Sequence, residues 1–139
     1  MSRSGYSDEL GVGNFGRWRG AVMSAIRGKR GQAMLRELLA AMDAMPKKEL
    51  ITDDLVDADG CYCTLGALGA ARGMDLASID AEDPDSVAEA FGIPRALAAE
   101  IEYENDDGDP WLPHHHTETP AQRWVRMRAW VAKHLKDEP

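Results

Sequence analysis

Apolar residues recur along this chain at helical spacing, in short runs broken by glycine and proline. Phe15, Trp18, Val22 and Ile26 fall on one stripe, which predicts a helix capped by Asn14 and running to about Ile26. Gly28-Lys29-Arg30-Gly31 interrupts that stripe. Leu35, Leu38, Met42 and Met45 then mark a second helix from about Gln32 to Met45, ended by Pro46. A four-residue connection of this kind joins antiparallel neighbours. Glu49-Leu50-Ile51-Thr52 and Gly60-Cys61-Tyr62-Cys63 flank a turn at Asp59-Gly60, the pattern of a small β-hairpin.

The least polar stretch, Gly60 to Gly73, lies near the middle of the chain. It reads as a short buried strand turning into a buried helix from Thr64 to Arg72, with Gly73 as the stop. Beyond a loop at Asp80 to Asp85, Ser86 to Phe91 predicts a short helix halted at Gly92. Pro94 opens another in its first turn, ending near Glu104. Asn105 to Glu118 is an acidic loop with Pro110 and Pro113. Thr119-Pro120 caps and starts a last helix with the stripe Trp124, Met127, Val131 and Leu135. The expected fold is therefore mainly α: a compact helical domain of about six helices with a small β-hairpin. Residues 1–13, small, polar and glycine-rich, form a flexible arm ahead of a single helical domain at 14–139.

Composition agrees with this picture. A chain of 139 residues is long enough to bury about 68% of its unfolded surface without staples. Aromatic residues make up only 6%, which suits aliphatic helix-on-helix packing. No apolar run approaches the roughly 18 residues of a membrane span, and Met1 to Tyr6 has no leader-like stretch. Cys61 and Cys63 are too close in sequence to bond each other without strain. Free thiols in a reducing cytoplasm are the expectation.

Charge changes the picture more. The net charge of -8 hides a segregation. Residues 1–36 hold seven basic side chains against two acidic ones, residues 53–109 hold sixteen acids against Arg72 and Arg95, and the last helix is basic again. Folding either lays the basic ends onto the acidic middle or leaves separate faces whose field steers partners.

Arg27-Gly28-Lys29-Arg30-Gly31-Gln32, with Arg17 and Arg19 on the preceding helix, is a candidate anion or nucleic-acid site, because glycines admit close backbone approach and three cations cluster. It lacks the preceding strand and the Lys-Ser/Thr ending of a Walker loop. An ordinary solvated turn competes with that reading. Glu102, Glu104, Asp106, Asp107 and Asp109 form a candidate acidic interaction surface, imitating nucleic-acid phosphate or simply solvated. Its spacing is not that of an EF-hand. Ser86 to Ile101 has the shape of a helix-turn-helix, yet its second helix carries Glu100, Glu102 and Glu104, which opposes entry into a DNA groove.

Cys63, just before a helix, is a thiol that a helix dipole would activate if exposed, and so a candidate nucleophile. Nothing in the sequence places His114, His115, His116 or His134 beside it as a base, and cysteine is more often buried. Cys61 and Cys63 with the three adjacent histidines match zinc by ligand type but not by spacing. No metal, cofactor or catalytic set is expected.

Several stretches together resemble a family of small uncharacterised bacteriophage and prophage proteins. They are Ser2-Arg3-Ser4-Gly5-Tyr6-Ser7-Asp8, Trp18-Arg19-Gly20-Ala21-Val22, Ser24 to Gln32, Cys63-Thr64-Leu65-Gly66-Ala67, Phe91-Gly92-Ile93, Glu104-Asn105-Asp106, and Thr119-Pro120 with Arg123. The resemblance covers Cys63 and not Cys61, and the triple histidine lies outside it. It implies a phage origin and a host-cytoplasm setting. The leading expectation is a non-enzymatic binding protein that engages a host or phage protein or nucleic acid, as a modulator of defence or replication. The alternatives are nucleic-acid or nucleotide phosphate binding through the basic N-terminal helix pair and a cysteine-dependent enzyme using Cys63.

Overall fold

A computed structural model describes residues 15–107 and 118–136. Among the described residues six helices carry the fold: α1 (Phe15–Arg27), α2 (Lys29–Ala44), α3 (Thr64–Ala71), α4 (Pro84–Phe91), α5 (Arg95–Asp106) and α6 (Pro120–His134), with a 3-10 turn at Leu76–Ser78. Two of them are central. α2 packs on α1, α3 and α6, while α5 packs on α1, α3, α4 and α6. Leu35, Leu38 and Met42 of α2 meet Leu97 and Ile101 of α5, Leu65 and Leu68 of α3, and Met127 and Val131 of α6 in one apolar cluster.

The periodic stripes locate these helices well, and the turn chemistry explains their ends. Thr119 and Gln122 form a reciprocal capping box at the start of α6, with Pro120 in the first turn. Asp83 caps α4, accepting from the Asp85 amide at 3.1 Å. Gly92 ends that helix in the left-handed conformation at φ 68°, where a side chain would be strained.

Three expectations are corrected. First, the α1–α2 connection is one extended residue, Gly28, and α2 begins at Lys29 rather than Gln32. Gly31 lies inside the helix because α2 crosses the end of α1 closely: a Cβ there would sit 1.9 Å from the Ala25 carbonyl oxygen. The glycine admits backbone, not a ligand.

Second, the hairpin is absent. Among the described residues there is no strand, only an isolated antiparallel bridge between Val56 and Tyr62. The Asp57 carboxylate closes the turn by accepting from the amides of Asp59 and Cys61. On one side the chain then bends away at Asp53, a non-glycine at φ 68°; on the other it enters α3. Neither arm is straight for long enough to build a ladder.

Third, the dry centre is shorter than the apolar stretch. Cys63 to Gly69 are buried, but Cys61 is half-buried and Ala70 and Ala71 are exposed. Gly66 and Gly69 allow this burial. A Cβ at Gly66 would lie 1.9 Å from the Leu55 carbonyl oxygen, and one at Gly69 would lie 2.5 Å from a Leu76 methyl.

Candidate functional site

The basic stretch and the C-terminal end of α6 come together around one buried amide. Gln32 donates from Nε2 to the carbonyls of Ile26 (2.7 Å) and His134 (2.9 Å), and its Oε1 accepts from the Lys136 amide (2.9 Å). Lys136 Nζ donates to the Arg27 carbonyl at 2.7 Å. The end of α1, the start of α2 and the end of α6 are thus tied into one corner. Arg27, Lys29, Arg30, Lys133 and Lys136 lie on the chain segments that meet there, and all five are exposed.

None of these five, nor Arg17 or Arg36, forms an ion pair among the described residues. The other arginines described behave differently. Arg19 pairs with Glu100 at 2.6 Å, Arg72 with Glu37, Arg95 with Asp85, Arg123 and Arg126 with Glu118, and Arg128 with Asp43. Of the five expected anion-site residues, then, Arg27, Lys29 and Arg30 share the corner. Arg17 lies about 15 Å away along α1, and Arg19 is committed to buried Glu100. Lys133 and Lys136 join from the far end of the chain. Their basicity is visible in the sequence, but their docking beside Arg27 depends on Gln32.

Beside this corner an open groove of about 610 Å³ runs between the α1–α2 elbow and the α4–α5 elbow. Ala25, Ile93 and Pro94 face it, with Lys29 and Arg30 on one side and Glu89 on the other.

The acidic stretch is divided. Glu102 is only 1% exposed and is enclosed with Glu100, so neither belongs to a surface. Glu104 and Asp107 are half-buried. Asp106 Oδ1 accepts from the Asp53 amide (3.1 Å) and from Asn105 Nδ2 (2.9 Å). Asp109 lies outside the described residues, as do His114, His115 and His116.

Asn105 instead organises a polar clasp. Its Oδ1 accepts from the Thr64 amide (3.0 Å) and hydroxyl (2.7 Å), and its Nδ2 also donates to the Ile51 carbonyl (2.9 Å). Arg126 caps the end of α5, donating to the carbonyls of Glu104 and Asn105, and forks onto Glu118. Arg123 donates to the Leu50 carbonyl at 2.8 Å. Burial pulls the pKa of its guanidinium below the usual value, against the opposing pull of Glu118. Segments far apart in sequence, at Thr64, Asn105–Asp106 and Arg123, therefore meet in one structural network.

The helix-turn-helix shape is present as α4, Gly92 and α5. However, α5 is enclosed by four other helices and cannot lie in a DNA groove. Cys63 is 1% exposed, and its Sγ accepts from the Gly66 amide at 3.3 Å, so it caps α3 from inside. Both cysteines are free thiols. Among the described residues no group of three His, Cys, Asp or Glu side chains is placed to hold a metal, and no helix is long and apolar enough to cross a membrane. No family model, curated protein or solved structure matches the chain.

Proposed function

We propose that this protein is a non-enzymatic binding protein whose basic corner engages a macromolecular polyanion, with a nucleic-acid backbone as the class that fits best. The supporting observation is that the segments carrying Arg27, Lys29, Arg30, Lys133 and Lys136 are tied together by Gln32 and Lys136, with all five residues exposed and none ion-paired among the described residues, in a chain whose other described arginines, Arg17 and Arg36 apart, are answered by acids. A net charge of -8 makes such a local positive patch selective, because a polyanion is repelled elsewhere. The resemblance to phage proteins supports a setting in the cytoplasm of an infected host, where the target is host or phage nucleic acid and the role is modulation of defence or replication. A cysteine-dependent reaction is the weaker reading, since the Cys63 sulfur is enclosed and engaged in capping.

Salt titration of fluorescence anisotropy with labelled DNA and RNA tests this. Log affinity should fall steeply with log salt, and Arg27→Ala or Lys29→Ala should each flatten the slope by about 0.9. Absence of binding to any nucleic acid at low salt excludes the reading and leaves an acidic protein surface as the partner to seek.

A further inference from the structure

We propose, resting on the nucleic-acid reading above, that the groove between the two elbows receives an unpaired, amino-bearing base of a single strand while Lys29 and Arg30 hold its phosphate.

The volume of about 610 Å³ lies within the range of sites that enclose small organic groups. Much of its lining is small or apolar, from Ala25, Ile93 and Pro94. Such walls suit the faces of a flat ring and leave its polar edge to be satisfied elsewhere. The groove is also bipolar. Lys29 and Arg30 stand opposite Glu89, yet no ion pair closes the gap, although all three side chains are exposed. Its occupant therefore needs an anionic group at one end and hydrogen-bond donors at the other.

A duplex backbone presents only phosphates here and would meet the Glu89 carboxylate with repulsion. A base splayed from a single strand presents both signs. Cytosine N4 donates to a carboxylate, as does the amino edge of guanine, whereas thymine offers no amino group.

The experiment compares labelled oligo(dC), oligo(dT) and a GC-rich duplex of matched length by anisotropy at low salt. Oligo(dC) should bind about tenfold tighter than oligo(dT). Glu89→Ala, which removes the acceptor at an exposed position, should remove that preference while leaving thermal unfolding nearly unchanged. Ser24→Trp, at an exposed position on the groove, should weaken single-strand binding about tenfold and spare the duplex. Equal affinity for the two strands, or a preference untouched by Glu89→Ala, overturns the groove assignment. The basic-corner reading survives that result if Lys29→Ala still flattens the salt slope. Displacement by free dCMP at equal nucleotide concentration also overturns the assignment, by giving the groove to a mononucleotide. Failure to bind any of the three probes sinks both proposals, a distinguishable result.

Discussion

The polar clasp around Asn105 and the basic corner around Gln32 are built from the same kinds of side chain and treat charge in opposite ways. In the clasp, Arg123 and Arg126 are partly withdrawn from water and meet Glu118 and three backbone carbonyls. In the corner the buried Gln32 amide does most of the joining, Lys136 adds one bond to the Arg27 carbonyl, and no cation there pairs with an acid among the described residues. A charge removed from water has to be answered within the fold or it destabilises the native state by several kcal/mol, about 3–5 when a buried pair is broken. A charge left in water carries no such requirement. The clasp therefore reports what stability needs, and the corner reports what remains available to another molecule.

Breaking the clasp should have the largest effect. Asn105→Ala strands the Thr64 amide and hydroxyl and frees the Ile51 carbonyl, so it should lower unfolding free energy by about 2–4 kcal/mol in urea titration, while the folded fraction keeps its salt-dependent binding. Gly31→Ala comes next and couples the two properties. Its methyl group collides with the Ala25 carbonyl, so the elbow has to open, at about 1–3 kcal/mol, and the corner cations should separate. Loss of stability together with a flattened salt slope is expected; lost stability with an unchanged slope means the cations act independently.

Acid is a gentler probe of paired charge. Hydrogen bonds from Arg72 and Arg128 hold the carboxyls of Glu37 and Asp43 below their usual pKa values. Stability from these pairs is therefore fully present above the unfolded-state values near 4 and is lost as pH falls through the lower folded-state values. Both pairs are solvent-exposed, so each contributes at most about 1 kcal/mol. Glu37→Gln with Asp43→Asn should flatten the acid limb of stability against pH. The smallest effect is expected in the corner: Lys29→Ala and Arg30→Ala should change unfolding free energy by less than about 0.5 kcal/mol while weakening polyanion binding.

Much of the helical order is legible in the residue pattern. Val22, Ile26, Leu35, Leu38, Met127 and Val131 all lie on the stripes that their spacing marks, and all are buried. Thr119, Pro120 and Gly92 act at the ends as their chemistry implies. The hairpin is not legible correctly, because Asp53 and Asp57 redirect the backbone through local side-chain and dihedral choices that alternation does not encode. At the candidate site Arg27, Lys29 and Arg30 stand out in the sequence as a run. Nothing local separates Arg19 from them, since its partner Glu100 is 81 residues away. Nothing local shows that Glu102 points inward while neighbouring acids remain partly solvated.

The sequence by itself determined where most helices lie, the start of α2 excepted, since capping, periodicity and glycine stops act within a few residues. It also determined that this chain would carry more charge than a core of its size has room to hide. Tertiary packing alone decided which of those charges were answered. Ion pairing depends on distances of a few ångströms between segments scores of residues apart, and only the docking of α6 beside the α1–α2 elbow left a positive corner facing water.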